Sequence, residues 1–351
     1  MKRTKLFRMM TSAALTAAMV MTMGGMTAFA EEATVSFTKT LDMTEAVDAS
    51  VPNVTFEYEI AAGTATTKGG RPVLAGVIKD ATHPSVGTAA YTYETTELTK
   101  DVAVDFSEVV FEEPGIYRYV ITEKTTGNAD ITNDAEATRY LDVYVTRPEG
   151  ATACSIANYE LTKADGTGKN GGYTNTYKTY ALDLTKTVTG DMGESNRPFE
   201  FTITFTGPEN TSFALENDYD ATENKTVDLG TSGSAEVKVN LPHAKSVHIT
   251  GIPSTVAYTI VETANSDGYT VTNTVKTAAT VDAADKTTVS TGEETTGEMT
   301  MGKVCNIVEF TNNRDAVTPT GIVMSFAPYI LLVALAGVFA VLFLRKRRHE
   351  I

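Results

Sequence analysis

Residues 35–41 read Val-Ser-Phe-Thr-Lys-Thr-Leu, and residues 182–188 read Leu-Asp-Leu-Thr-Lys-Thr-Val. Side chains alternate between the two faces of a β-strand, so the apolar residues and the lysine of each stretch share one face. Most of the chain from residue 35 to residue 311 continues in this way. Short runs rich in Val, Thr, Tyr, Phe and Ile are separated by clusters of Gly, Pro, Asn and Asp. This pattern predicts an all-β sandwich.

The two halves of the chain repeat each other. Besides the two lysine-bearing stretches, the similar pairs are residues 52–60 and 198–205, residues 115–123 and 256–262, and Tyr173-Thr-Asn175 and Phe310-Thr-Asn312. Four matched segments in the same order indicate two copies of one domain. We predict the first domain over residues 31–178 and the second over residues 179–316.

The N-terminal residues 1–30 have the organisation of a secretory signal peptide. Four basic residues precede a small, apolar stretch rich in Ala and Met, and Ala28-Phe-Ala30 supplies a small-x-small cleavage site. The alternative is an N-terminal membrane anchor, but the apolar stretch is short and interrupted by threonines. We therefore predict that the protein is secreted.

Residues 317–351 carry a second signal. Val317-Thr-Pro-Thr-Gly321 precedes an apolar run over residues 322–344, long enough to span a bilayer, and a basic cluster over residues 345–348 follows. An ordinary single-pass anchor is one interpretation. The order of motif, apolar run and basic tail resembles a cell-wall sorting signal, whose usual motif, Leu-Pro-x-Thr-Gly, differs at its start. That resemblance implies cleavage by a sortase between Thr320 and Gly321, after which Thr320 acylates an amine.

The net charge of the chain argues against polyanionic partners. Residues 31–320 hold 21 of the 29 basic residues and 43 of the 44 acidic residues, which gives a formal net charge of −22. A surface of this kind repels nucleic acid and anionic lipid, so we expect neither as a partner.

The histidines and cysteines do not form the patterns of a catalytic, cofactor or metal site. The four histidines, His83, His243, His248 and His349, have neither metal-ligand nor triad-like spacing. Cys154 and Cys305 fall in different halves, so a disulfide within one domain is excluded, and two free thiols are favoured over a pair between domains. We predict a protein that is not an enzyme and uses no cofactor or metal.

Three polar residues recur on the apolar face of strands in both halves. They are Lys39, Glu123 and Asn175 in the first half, and Lys186, Glu262 and Asn312 in the second. A buried lysine is costly unless it is paired or neutralised. Each lysine alone would be explained by a strand-end position from which the amine reaches solvent. Recurrence of all three residue types in the same order favours a shared chemical role.

A reaction between these side chains would remove the buried charge. Burial lowers the pKa of an amine and raises the pKa of a carboxyl group. A neutral lysine amine is a nucleophile, and a protonated glutamic acid can polarise an asparagine carboxamide and relay protons. Packing of the fold supplies the proximity. The products are an Nε-amide between Lys and Asn and one molecule of ammonia.

These segments resemble the isopeptide-linkage domains of streptococcal major pilins, the FctA-type backbone subunits. The resemblance is close in residues 37–42, 105–117 and 310–312, and it extends over residues 34–321. It implies two tandem Ig-like (Cna-B-type) β-sandwiches, with crosslinks Lys39–Asn175 and Lys186–Asn312 between the first and last strands. It also implies that Glu123 and Glu262 shuttle the protons.

The same resemblance implies a function. It indicates the structural subunit of a sortase-assembled, covalently polymerised Gram-positive pilus, anchored to the cell wall. The implied partners are a sortase and neighbouring subunits or peptidoglycan. A monomeric cell-wall-anchored adhesin built from the same domains is the alternative, and a host ligand is left open.

A polymer also requires an acceptor lysine. In the streptococcal relatives this lysine lies in a loop just before the last strand of the first domain, which corresponds here to residues 164–172. Lys169 is the only lysine in that loop, and its four glycines make the loop flexible. We predict Lys169 as the acceptor, with Lys163, at the edge of the loop, in reserve.

Overall fold

The computed structural model describes residues 33–79, 83–165, 169, 172–264, 267–316 and 331–340. The predicted signal peptide, the motif with Thr320 and Gly321, and most of the predicted span at residues 322–344 lie outside these residues. Residues 331–340 are helical. Across the described ranges, no helix has the length and apolar character needed to cross a membrane.

Short strands make up most of the first half. In chain order they are β1 (Thr34–Glu45), β2 (Val54–Phe56), β3 (Tyr58–Ala62), β4 (Thr66–Lys68), β5 (Arg71–Ala75), β6 (Ser85–Val86), β7 (Ala89–Tyr91), β8 (Thr99–Asp105), β9 (Gly115–Glu123), β10 (Ile131–Thr132), β11 (Thr138–Thr146), β12 (Ser155–Lys163) and β13 (Gly172–Lys178). One sheet has the order β10-β13-β1-β8-β6 and the other has the order β12-β11-β9-β5-β4, with β3 also paired to β9. Strands β2 and β7 form a separate pair.

The second half has the same two-sheet construction. Its strands are β14 (Tyr180–Thr189), β15 (Phe199–Thr206), β16 (Ser212–Asn217), β17 (Lys225–Asp228), β18 (Ser234–Leu241), β19 (Lys245–Ile252), β20 (Ala257–Glu262), β21 (Thr270–Ala278), β22 (Thr287–Gly292), β23 (Met299–Thr300) and β24 (Cys305–Asn313). Short 3₁₀ turns occupy Ala221–Glu223 and Gly230–Ser232. The sheets have the orders β17-β16-β19-β14-β24-β21-β22 and β18-β15-β20-β23.

Each half encloses its own hydrophobic core. Strand β14 shows why, because its residues alternate between buried and half-buried from Tyr180 to Val188, which places one face against the opposite sheet. Phe201 and Phe310 meet in this core edge to face, with ring centroids 5.2 Å apart. The first core is centred on buried residues of β1, β8, β9 and β11. The prediction of an all-β sandwich fold is confirmed.

The first strand of each half lies beside the last strand of that half. Strand β1 pairs with β13 in parallel, and β14 pairs with β24 in parallel. Strand β13 ends at Lys178 and β14 begins at Tyr180, so a single residue, Thr179, links the two sandwiches. We propose residues 31–178 and 179–316 as the domain ranges on this basis.

The two sandwiches also touch beside this link. Thr250 Oγ1 donates a 3.0 Å hydrogen bond to Asp48 Oδ2, and the Ser212 N–H donates a 2.9 Å hydrogen bond to Ser50 Oγ. The Ser50 N–H in turn donates to the Ser212 carbonyl oxygen. We call these contacts, together with Thr179, the joint.

Candidate crosslinking sites

Lys39, Glu123 and Asn175 meet in the core of the first sandwich. Lys39 and Asn175 lie on the neighbouring strands β1 and β13, where Lys39 is paired with Tyr173, so Asn175 is two positions further along on the same face. Glu123 ends β9 in the opposite sheet and reaches across the core. All three residues are buried, and Lys39 and Asn175 are completely inaccessible to solvent.

The Lys39 amine contacts both partners at once. Its Nζ atom lies 2.5 Å from Glu123 Oε1 and 2.5 Å from Asn175 Oδ1. Tyr58 OH donates to the same Glu123 oxygen at 3.3 Å, and the Phe56 ring centroid lies 3.9 Å from Nζ. Aromatic walls therefore exclude water from the site and hold the amine against the carboxamide.

Lys186, Glu262 and Asn312 form a second, equally buried group. On β14 and β24, Lys186 is paired with Phe310, so Asn312 again lies two positions further along. Lys186 Nζ lies 2.6 Å from Glu262 Oε2, and Asn312 Nδ2 donates to Glu262 Oε1 at 2.5 Å. Here the carboxylate bridges the amine and the carboxamide.

Both lysines are shifted toward the reactive neutral form. Burial lowers the pKa of the Lys39 amine from 10.5 to about 8, although the hydrogen bond and charge of Glu123 oppose the shift. Burial lowers the pKa of Lys186 to about 8 as well, against the opposing effect of Glu262. A substantial fraction of each amine is therefore neutral near pH 8, and a neutral amine next to a carboxamide is suited to acyl transfer.

Each half of the chain matches a known protein family. Residues 35–178 match the family described as Spy0128-like isopeptide containing domain. The first sandwich is therefore similar to the Spy0128-like isopeptide family. Residues 180–314 match a separate family described as a domain of unknown function (DUF7601).

Pilins of Streptococcus pyogenes are similar to most of the chain. A curated protein named "Pilin" from Streptococcus pyogenes serotype M1 is 27% identical over 357 residues, covering 97% of this chain and 98% of that protein. The major pilin protein (T3.2) from Streptococcus pyogenes has the same fold, with a TM-score of 0.66, 24% identity, and coverage of 82% of this chain and 99% of that chain. Another Streptococcus pyogenes major pilin gives a TM-score of 0.66 at 22% identity, over 81% and 99% of the two chains. The resemblance to streptococcal major pilins is confirmed.

The lysines predicted as polymerisation acceptors lie on the surface of the first sandwich. The Lys169 side chain is 59% exposed, and its Nζ atom lies 3.6 Å from Glu160 Oε1. Lys169 forms an isolated bridge with Thr162 of the edge strand β12. Lys163 is also exposed, with Nζ 3.5 Å from Glu136 Oε1.

The described residues contain neither a disulfide nor a cluster of metal ligands. Cys154 is half-buried, Cys305 is buried, and both are free thiols. The residues described by the structure contain no group of three or more His, Cys, Asp or Glu side chains placed to hold a metal ion.

Sequence reasoning missed several residues around the first site. Asn175 also contacts Asn133 and Asp134, in the segment after β10. Arg139 is almost completely buried and pairs with Asp134 through Nη2, 3.0 Å from Oδ1. Parity offers a signal for Arg139, because it shares a face with the buried Leu141 on β11. Asn133 and Asp134 carry no such signal, since they lie in an irregular segment.

Proposed function

We propose that this protein is the structural shaft subunit of a covalently polymerised pilus on the surface of a Gram-positive cell. The observation that carries the proposal is the presence of two buried Lys–Glu–Asn groups, each placed between the first and last strands of a sandwich. The match to a protein named pilin over nearly the full length of both chains supports it. The protein is structural rather than enzymatic.

The first proposed step is formation of the internal crosslinks. The neutral Nζ of Lys39 attacks Cγ of Asn175, and that of Lys186 attacks Cγ of Asn312. A carbon–nitrogen bond forms, the bond from Cγ to Nδ2 breaks, and the adjacent glutamate carries a proton from the attacking amine to the leaving nitrogen. Each reaction releases one molecule of ammonia and leaves a neutral amide in place of the buried amine.

The second proposed step is attachment to neighbouring subunits. A sortase cleaves between Thr320 and Gly321, and the acyl group of Thr320 passes to a lysine of another subunit or to peptidoglycan. The exposure of Lys169 supports its role as the acceptor, because an amine must enter the sortase cleft. Lys39 and Lys186 are unsuitable since both are buried.

Intact mass spectrometry of residues 31–320 tests the internal crosslinks. We expect a mass that is lower than the sequence mass by two molecules of ammonia. Glu123→Ala and Glu262→Ala should each restore the mass of one ammonia molecule. Glu112→Ala, at an exposed position of the first sandwich, should leave both losses in place. A wild-type mass equal to the sequence mass would show that neither crosslink forms.

Immunoblots of cell-wall extracts from the native host test polymerisation. A shaft subunit should give a ladder of high-mass bands that resists boiling in detergent. A single band at the subunit mass would instead indicate a monomeric wall-anchored adhesin with the same sandwiches.

A further inference from the structure

The two crosslinking sites differ in what binds the asparagine carboxamide. Besides Lys39, Asn175 Oδ1 accepts a hydrogen bond from the main-chain N–H of Asp134 at 3.2 Å, and Asn175 Nδ2 donates to Asn133 Oδ1 at 3.3 Å. In the second sandwich, Asn312 Oδ1 is buried and has no hydrogen-bond partner in the described part of the chain. The first carboxamide is therefore held at both ends.

Strand length accounts for the difference. Strand β10 pairs with β13 only at residues 131 and 132, so the ladder stops just before the position opposite Asn175. The next N–H groups along the chain are released from sheet pairing, and that of Asp134 turns to the Asn175 side chain. In the second sandwich β21 runs past the equivalent position, where Val271 is paired with Asn312.

The Asp134 carboxylate fixes this segment to its surroundings. Its Oδ2 accepts from the Thr174 N–H at 2.9 Å, and its Oδ1 accepts from the Glu136 N–H at 2.8 Å. Arg139 Nη2 lies 3.0 Å and 3.1 Å from the two oxygens. Burial opposes ionisation of Asp134, but these hydrogen bonds and the charge of Arg139 outweigh burial and lower the pKa of Asp134.

The guanidinium of Arg139 is itself locked in place. It stacks over the Tyr173 ring at 4.8 Å from the centroid, and the residue is only 2% exposed. The N–H of Asp134 is thus set in position before any reaction, and that is the condition under which a hydrogen-bond donor stabilises developing charge most effectively.

We infer that Asn133 and the main-chain N–H of Asp134 form a carboxamide cradle that activates Asn175, with Arg139 as a positioning residue. The inference rests on the crosslink proposed above. Attack by Lys39 Nζ on Cγ moves an electron pair onto Oδ1, and the Asp134 N–H donates to that oxygen as it becomes negative. Asn133 Oδ1 holds one N–H of the departing nitrogen, which leaves as ammonia after receiving a proton through Glu123.

The test is a time course of crosslinking during refolding of residues 31–320. Chains dissolved from inclusion bodies in guanidinium start uncrosslinked, as their mass at time zero will verify, and dilution starts the reaction. Digestion and peptide mass spectrometry then follow the Lys39–Asn175 and Lys186–Asn312 bonds separately. The second bond is an internal control in every sample, because Asn133 and Asp134 are not part of its site.

Two variants remove the two halves of the cradle. Asp134→Pro deletes the N–H together with the carboxylate that fixes the segment, and Asn133→Ala deletes the side-chain acceptor. We expect Asp134→Pro to slow the Lys39–Asn175 bond at least about tenfold and Asn133→Ala to slow it by a smaller factor, with the Lys186–Asn312 rate unchanged. Wild-type rates for the first bond in both variants would overturn the inference.

A control for folding uses Lys39→Met, a variant that cannot form the Lys39–Asn175 bond. Each substitution is repeated in Lys39→Met, and thermal unfolding is compared with that of Lys39→Met alone. If Asp134→Pro unfolds the domain, the inference is tested by the rate of Lys39–Asn175 bond formation in Asn133→Ala. The Asn133 side chain is half-exposed, so its loss should not unfold the domain. A wild-type chain that forms neither bond would refute the proposed crosslinks themselves, an outcome distinct from equal rates in wild type and variants.

Discussion

Asp130 of the first sandwich accepts a 2.9 Å hydrogen bond on Oδ2 from the main-chain N–H of Ser254 in the second sandwich. Asp130 is almost completely buried, so this bond forms away from water. The Lys178 N–H, just before the Thr179 link, donates to the Asp130 carbonyl oxygen at 3.0 Å. Asp130 therefore contacts both the residue before the link and the neighbouring sandwich, beside the joint.

The joint should loosen when a side chain is added at Gly251. A Cβ there would lie 2.8 Å from the Ala49 main-chain nitrogen, and Gly251 has φ +90. Gly297 also has a positive φ, +67, but a Cβ there would meet nothing within 4 Å. Gly251→Ala and Gly297→Ala thus share backbone strain of about 1–3 kcal/mol, and only Gly251→Ala also clashes across the joint.

Small-angle X-ray scattering and trypsin cleavage after Lys178 will compare these two variants. We expect Gly251→Ala to broaden the distribution of distances between the sandwiches and to accelerate cleavage several-fold, while Gly297→Ala behaves as wild type. Equal behaviour of the two variants would mean that the contacts of residues 48–50 do not hold the joint.

Loss of the first crosslink should destabilise the first sandwich. The proposed Lys39–Asn175 bond closes a loop with a sequence separation of 136 residues. By analogy with a disulfide, this closure stabilises by about 5 kcal/mol, mainly by restricting the unfolded chain. Lys39→Met keeps an apolar side chain beside Phe56 and cannot form the bond, so we expect a lower denaturation midpoint and cleavage by trypsin within the first sandwich.

A double variant separates the stabilising effect of the covalent bond from that of the Lys39–Glu123 ion pair. Lys39→Met combined with Glu123→Leu removes both buried charged groups, and it should stay well below wild type because the covalent closure is still missing. Lys163→Met, at an exposed position, should match wild type. Wild-type stability of the double variant would show that the closure contributes nothing.

The stability of the second sandwich should fall at alkaline pH because of His248. Its Nδ1 lies 2.9 Å from Asp183 Oδ1 and its Nε2 lies 3.2 Å from Asp218 Oδ2. The hydrogen bond to Asp183, opposed by partial burial and assisted by Asp218, raises the pKa of His248 from 6.5 to about 9. A pKa raised by folding gives stability that is complete below about pH 6.5 and is lost as the pH rises through about 9.

Thermal unfolding between about pH 6 and pH 9.5 will measure this contribution. Wild type should lose stability across that window, and His248→Gln should lose less because its side chain does not titrate. The effect will be small, since the imidazole is 40% exposed and solvent screens the ion pairs. If the stability of wild type and of His248→Gln fell equally with pH, His248 would not be the group responsible.

Polymerisation should depend on a lysine in the segment after β12. Lys169→Ala removes the exposed amine beside Glu160, so we expect the high-mass ladder on wall-extract blots to disappear in the native host. Lys79→Ala, a change at another exposed lysine of the first sandwich, should leave the ladder intact. A ladder that persists in Lys169→Ala excludes that lysine. A ladder that also survives Lys163→Ala, at the end of β12, excludes both predicted acceptors.

Much of the first site is predictable because strand parity is a local property. Counting faces identifies Lys39, Glu123 and Asn175 as inward-facing, and the repeat in the second half supplies an independent count. The contact between Lys39 and Asn175 follows if the first and last strands are neighbours, which the family resemblance implies and the parallel pairing of β1 with β13 provides.

Other contacts cannot be predicted from the alternation of side chains along a strand. The approach of Asp134 to Asn175 arises where β10 stops, and strand ends are set by tertiary packing. The contacts of the joint likewise depend on how two complete sandwiches meet, which no single strand encodes. Thr320 and Gly321 lie outside the described residues, so the sortase motif stays a prediction.

The parallel pairing of each first strand with its last strand has a mechanical consequence. The chain enters at the start of β1 and leaves at the far end of β13, and the same is true of β14 and β24. A pull on the two termini therefore slides neighbouring strands along each other. In this shear geometry the hydrogen bonds of the ladder share the load and must break together, whereas peeling would break them one at a time. The resistance to extension is thus already present in the order of the strands, before any covalent bond is formed.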